Sequence, residues 1–226
     1  MRRLSLDQYL TEGDGAYKSV FDQPWSYGLH MFQPTLPRMT LLYPVPNILD
    51  RDVLSALFPA LALSGESDAV LFRSTESDPI DDFHERGLIC EFKQTDIEQF
   101  LTTANGSINS VLMNGFFSPQ GTWGIATNAD SAAYFAGSNQ LVDAFFDQYP
   151  HTEEGQAEEL LANWHFYFDL PETHQGFGAK RGDPAESPSL PLIFAKFRRM
   201  YGPSRAEELL RRRSLPIPQF TEPDSA

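Results

Sequence analysis

Cysteine is almost absent from this chain, because Cys90 is the only one among its 226 residues. A single thiol forms no internal disulfide, so the disulfide framework typical of small secreted domains is excluded. Long apolar runs are also missing, and none approaches the roughly 18 to 20 residues of a membrane-spanning helix. Asp7 and Glu12 stand where a signal peptide has its apolar segment. We therefore expect a cytoplasmic protein, and the alternative is secretion by a route without a cleaved leader.

Basic residues are scarce in the middle of the chain. Residues 76–172 contain 17 Asp and Glu against two basic residues, and residues 94–179 contain no Lys or Arg. The whole chain has 17 Lys and Arg against 31 Asp and Glu, a net charge of −14. Binding to nucleic-acid phosphates requires basic side chains that displace counterions, so direct nucleic-acid binding is disfavoured. A basic protein partner is favoured, and the alternative is that the acidity serves solubility alone.

Apolar residues make up 41% of the chain, which is enough for a buried core. The most regular pattern surrounds a turn at Ser118–Gly121, where proline fixes φ and glycine closes the loop. A second turn is predicted at 128–131. The flanking apolar runs predict an antiparallel meander with strands at residues 111–117, 123–127 and 133–136. Ser138, a helix-capping residue type, precedes a helical spacing of apolar residues.

Hydrophobic periodicity predicts the remaining elements. Strands are expected at 68–73 and 88–93, with edge strands or extended coil at 25–32 and 38–43. Helices are predicted near residues 4–10 and at 51–63, 97–104, 153–168, 190–201 and 204–213. Thr95 with Glu98, and Ser204 with Glu207, have the spacing of capping boxes. Pro59 is expected to kink its helix or to end the first part of it.

These elements predict an α+β fold with an antiparallel meander sheet of about five strands. Helices pack on one side of this sheet, and a C-terminal helical pair follows. We expect a main domain at residues 1–170 and a flexible loop or linker at 171–189, which is rich in turn formers. The helical pair at 190–214 is expected to dock on the main domain, and residues 215–226 are expected to form an extended tail.

Candidate catalytic groups each have a structural explanation. Cys90 alternates with apolar neighbours in a predicted strand, which favours a buried core thiol. His165 and Asp169 lie four residues apart on one predicted helix, where they can pair or simply form its rim. No serine-hydrolase, zinc-protease, paired-cysteine or nucleotide-binding motif is found. We therefore predict no catalytic residue and no cofactor.

A dense polar cluster leaves one enzymatic alternative open. It is formed by Glu76, Asp78, Asp81, Asp82, His84 and Glu85. Carboxylates and a histidine can hold a hard divalent ion, so a metal-dependent hydrolase is the alternative function. The cluster lacks the spacing of a calcium-binding loop, and a solvated acidic loop between two strands is favoured.

The stretch TWGIATNADSAAYFAG at residues 122–137, in a small and strongly acidic chain without a catalytic motif, resembles bacterial immunity proteins that neutralise toxins, often basic nucleases. The resemblance covers no more than the middle third of the chain. It implies a non-enzymatic binding protein or inhibitor whose carboxylates steer and pair with a basic partner.

On this interpretation the binding surface combines carboxylates with aromatic anchors. The candidate carboxylates are Asp78, Asp81, Asp82, Glu85, Asp130, Asp143, Asp147, Glu153 and Glu154. The candidate anchors are Trp123, Tyr134 and Tyr149, if their rings are exposed. A further alternative is a structural or assembly subunit, in which apolar residues of the last two helices dock onto another chain. Those residues are Phe194, Phe197, Met200 and Leu209.

Overall fold

The computed structural model describes residues 1–22, 32–43, 50–74, 89–105, 113–127, 132–169 and 189–219. The chain divides into two compact units, Met1–Glu153 and Glu154–Ala226. The linker predicted at 171–189 lies almost wholly outside the described residues, so the predicted boundaries remain a prediction. None of the described helices is long and apolar enough to cross a membrane.

An antiparallel sheet forms the centre of the first unit. Its strands are β1 (Arg2–Arg3), β2 (Arg38–Leu42), β3 (Asp68–Ser74), β4 (Ile89–Lys93), β5 (Met113–Phe117), β6 (Gly124–Thr127) and β7 (Ala133–Gly137). Their order across the sheet is β1-β4-β3-β5-β6-β7-β2. The predicted β5-β6-β7 meander and the β3-β4 pair are confirmed. The sheet has seven strands rather than about five, because β1 and β2 add one strand to each edge.

Helices accompany the sheet in the first unit and make up most of the second unit. They are α1 (Leu6–Gln8), α2 (Asp14–Val20), α3 (Arg51–Leu63), α4 (Ile97–Asn105), α5 (Asn139–Phe146), α6 (Glu153–Asp169), α7 (Ser189–Tyr201) and α8 (Pro203–Arg212). A π-helical segment, Tyr9–Gly13, joins α1 to α2. The mixed α+β fold is as predicted.

Helix α3 shows how the local sequence sets both ends of an element. Asp50 accepts a hydrogen bond from the Val53 amide at 2.9 Å, which makes it the predicted N-cap. The helix continues through Pro59 to Leu63, so of the two predicted effects of Pro59, an end to the first part of the helix is excluded and a kink stays a prediction. It ends in a Schellman motif, in which Gly65 has φ +78 and the Glu66 amide donates to the Leu61 carbonyl at 2.9 Å.

One face of the sheet packs on α3 and α5 in a continuous apolar core. Alternate strand residues supply the sheet side of this core, including Leu71, Phe92, Phe116, Ile125 and Phe135. Two of these rings, Phe92 and Phe116, form a cluster of edge-on contacts with Phe100 of α4. This layer is the helix packing that the sequence predicted for one side of the sheet.

The opposite face of the sheet is also partly covered by a helix. The ring of Tyr17 of α2 contacts the rings of Phe72 and Phe117 edge-on, with centroid distances of 5.4 and 5.7 Å. Close approach is possible because β6 begins with glycine: a Cβ on Gly124 would lie 2.4 Å from the Val20 side chain. The N-terminal helical segment is therefore longer than predicted, and it forms a second layer on the opposite face of the sheet.

Two of the predicted helix starts differ from the structure. At α4, Asp96 accepts from the Lys93 amide at 3.0 Å, and the chain passes through a short 3-10 turn before the helix. The described hydrogen bonds contain no Thr95–Glu98 box. At α8, Pro203 is the first helical residue, and Gly202 precedes it without a side-chain cap. Proline suits the first helical position, and it moves the start ahead of Ser204.

In the second unit, α7 and α8 pack against each other as the predicted helical pair. Helix α8 ends in a Schellman motif of its own, with the Leu215 amide donating to Leu210 at 3.0 Å. Its left-handed position is taken by Ser214, at φ 55. The apolar residues proposed for an assembly interface are mostly buried, as Phe194, Phe197 and Leu209 show. They are therefore not an exposed docking stripe.

Candidate functional site

Several residues predicted to contact a partner or a metal lie outside the described residues. These are Glu76, Asp78, Asp81, Asp82, His84, Glu85 and Asp130. The metal-dependent alternative therefore stays a prediction. Within the ranges that the structure describes, no group of three or more His, Cys, Asp or Glu is placed to hold a metal ion. Cys90 is buried in β4, as a core thiol would be.

The three candidate aromatic anchors are buried. Trp123 is 0% exposed, Tyr134 4% and Tyr149 7%. Trp123 belongs to the main core, and Tyr149 stacks on Phe145 with a centroid distance of 5.0 Å. A hot-spot aromatic has to be accessible before the partner arrives, so these residues are removed from the candidate binding surface. Their rings fill the interior of the protein instead.

The indole of Trp123 is held by a carboxylate that the sequence analysis did not single out. Glu66 accepts hydrogen bonds from Trp123 Nε1 at 3.0 Å, from Ser118 Oγ at 2.7 Å and from Thr122 Oγ1 at 2.5 Å. We call these four residues the Glu66 lock. The Schellman motif at Gly65 turns the chain so that Glu66 meets the β5–β6 turn. The lock joins two loops that are far apart in sequence.

Ser118 in this lock is not arranged as a nucleophile. Its hydroxyl donates to Glu66 and accepts from the Gln120 amide at 2.9 Å. It also lies 3.0 Å from Thr122 Oγ1, whose single hydrogen is donated to Glu66. The side chain is also fully buried. The Glu66 lock is therefore a structural device rather than a catalytic pair.

The predicted carboxylates of α5 and the following turn form a different arrangement at the surface. Arg38, on the edge strand β2, donates to Asp143 Oδ1 and to Glu153 Oε2, each at 2.5 Å. The Asp143 side chain is 67% exposed, and Asp147 lies one helical turn further on and is also exposed. We call Arg38, Asp143, Asp147 and Glu153 the acidic corner. The structure therefore brings two of the predicted carboxylates together on one arginine.

The electrostatics of the acidic corner depend on Arg38. Partial burial disfavours its charged form, but the hydrogen bonds to Asp143 and then Glu153 outweigh this effect, so the pKa of the Arg38 guanidinium is raised. The corner carries three carboxylates and one arginine, a net charge of −2. Its exposed surplus charge can attract a basic side chain without any burial of the carboxylates.

Glu154, the remaining described candidate, belongs to the second unit and is already paired. Hydrogen bonds from Arg205 and Arg212 lower the pKa of the Glu154 carboxyl. Arg212 reaches Glu154 at 2.8 Å. In the sequence Glu154 is indistinguishable from its neighbour Glu153, because the arginines that pair with them lie far away in the chain.

Comparison of the chain with protein-family models, with curated proteins and with solved structures found no match.

Proposed function

We propose that the first unit is a non-enzymatic protein-binding module and that its acidic corner contacts a basic protein. The observation that carries this proposal is the surplus of negative charge at the corner, where Arg38 pairs with Asp143 and Glu153 and the exposed Asp147 adds a third carboxylate. The rest of the unit supports it, since Met1–Glu153 contains 20 Asp and Glu against 8 Lys and Arg. Complementary charge speeds association and selects the partner.

The narrowest form of this proposal is an inhibitor or immunity protein that neutralises a basic toxin or nuclease. A basic enzyme that binds nucleic acid presents Lys and Arg on its substrate-binding surface. A rigid and strongly acidic protein can cover that surface and exclude the nucleic acid. The sheet supports the corner, because Arg38 lies on its edge strand β2 and Asp143 lies on α5, which packs on its core.

The test compares the native chain with a corner variant that carries Asp143→Asn, Asp147→Asn and Glu153→Gln. Each protein is used as bait in extracts of the native host, at about 0.05 M and about 0.5 M salt. We expect one basic protein to be retained stoichiometrically at low salt. The corner variant should reduce the measured affinity for the purified partner by about tenfold or more.

A matched control separates local recognition from net charge. The variant Asp7→Asn, Asp22→Asn, Glu12→Gln has the same composition change at exposed positions of the same unit, and it should bind almost as the native chain does. Equal losses in the two variants would show that only overall charge matters. Retention that salt does not weaken would contradict the electrostatic basis of the proposal.

A further inference from the structure

A network of charged side chains joins α6 to α8 within the second unit. Arg212 donates to Glu154 and Glu158 of α6, each at 2.8 Å, and to Glu208 of its own helix at 2.7 Å. Arg205 pairs with Glu154 and with Glu208. Two arginines of α8 therefore hold two carboxylates of α6.

The same helix is held to α7 by a different kind of contact. Helices α7 and α8 pack directly against each other, and α8 buries Ala206, Leu209 and Leu210. Its contacts with α6 described above run instead through long arginine side chains. Helix α8 therefore packs on α7 through apolar residues and is joined to α6 by ion pairs.

The ion pairs are open to water and to salt. The five side chains of the network are between 30% and 50% exposed. Exposed pairs are individually weak, and their attraction is screened as ionic strength rises. Apolar packing does not weaken in this way. Added salt should therefore act selectively on the α6–α8 side of the helical pair.

We propose that the arginines of α8 form a salt-releasable clip on α6. At low ionic strength the clip holds α8 beside α6, and at high ionic strength α8 moves away from α6 while remaining packed on α7. Opening frees Glu154 and Glu158 from their internal arginines. The proposal does not depend on the acidic corner, whose residues all lie in the first unit.

The test measures the distance between two labels, one on each helix of the clip. Spin labels are placed on cysteines at two exposed positions, Glu159→Cys of α6 and Ser204→Cys of α8, in the full chain with Cys90→Ala. We expect a narrow distance distribution at about 0.05 M salt. At about 1 M salt, where the screening length is about 3 Å, the distribution should broaden toward longer values by up to about one helix diameter, ~10 Å.

Arginine variants provide the decisive comparison at low salt. Arg205→Gln with Arg212→Gln should give the broad distribution without added salt. The control is Arg211→Gln, because Arg211 pairs with Glu207 of its own helix at 2.5 Å, and it should leave the distribution narrow. Circular dichroism of each variant checks that its helices remain folded. A distribution that stays narrow in 1 M salt and in the double variant would overturn the proposal, as would equal broadening by all three substitutions.

Discussion

The first unit contains two carboxylate sites that differ in how their charge is used. Glu66 accepts three hydrogen bonds from side chains, two of them fully buried, and holds two loops together. Two of the three carboxylates of the acidic corner share one arginine, and the corner keeps a surplus of negative charge at the surface. A carboxylate that is saturated by neutral donors contributes to stability, whereas an exposed and incompletely paired one is available to a partner.

The comparison predicts its largest effect at Glu66. The substitution Glu66→Ala leaves the Trp123 indole and the Ser118 hydroxyl without their acceptor in the interior. We expect it to lower the free energy of unfolding by about 3 kcal/mol, since each unsatisfied buried donor costs about 1 to 3 kcal/mol. Urea denaturation followed by tryptophan fluorescence measures the change. Glu66→Gln keeps an acceptor oxygen and should lose about half as much, and equal losses would show that packing rather than hydrogen bonding is decisive.

A smaller effect on stability is expected at the acidic corner when Arg38 is removed. Arg38→Ala leaves Asp143 and Glu153 facing each other without a counter-ion, which should lower the free energy of unfolding by about 1 kcal/mol. Binding to the basic partner should not weaken, because the corner becomes more negative. Urea denaturation gives the first value and titration with the purified partner gives the second. Loss of binding in this variant would indicate that Arg38 itself contacts the partner.

At Asp147 the effect on stability and the effect on partner binding should separate most clearly. Asp147→Asn should change the free energy of unfolding by less than about 0.5 kcal/mol, as is usual for exposed positions. Its affinity for the partner should still fall, mainly through slower association at low salt. Stopped-flow or surface-binding kinetics can resolve the association rate from the dissociation rate. An unchanged association rate would place Asp147 outside the contact surface.

The smallest effect concerns carboxylates of the second unit. Hydrogen bonds from Arg205 and then Arg212 lower the pKa of both Glu154 and Glu208. A carboxyl whose pKa is lower in the folded state stabilises the fold above its unfolded pKa of about 4.3, and this contribution disappears as pH falls through the folded value. Urea denaturation between pH 5 and pH 3 should therefore show a shallower loss of stability in Arg205→Gln than in the native chain. The control Arg213→Gln should retain the native slope.

The elements that the sequence predicted well are those set by local patterns. The Ser118–Gly121 turn, the Asp50 cap and the Ser138 cap each depend on residues within a few positions of one another, and all three form as expected. The capping box at Ser204 failed because Pro203 offers a competing start one residue earlier. Local propensity is decisive only where one signal is present.

The functional geometry was harder to predict because it depends on distant pairs. Arg38 is 105 residues from Asp143, and Glu66 is 57 residues from Trp123. Nothing in the sequence near Asp143 or Glu153 distinguishes them from Glu154, which pairs with other arginines. The burial of Trp123 likewise follows from its place at the start of β6, opposite α3 and α5, and not from its neighbours in the sequence.

The order of strands in the sheet also bears on how the chain reaches its fold. Both edge strands come from the first 42 residues, and each pairs with a strand much later in the chain: Arg3 with Cys90, and Arg38 with Gly137. Such distant pairings make loop closure costly and folding slow. During synthesis β2 has no neighbour until β7 has emerged. The apolar residues of the N-terminal segment therefore stay exposed until that pairing forms. Exposed apolar segments of this kind are prone to aggregation during synthesis.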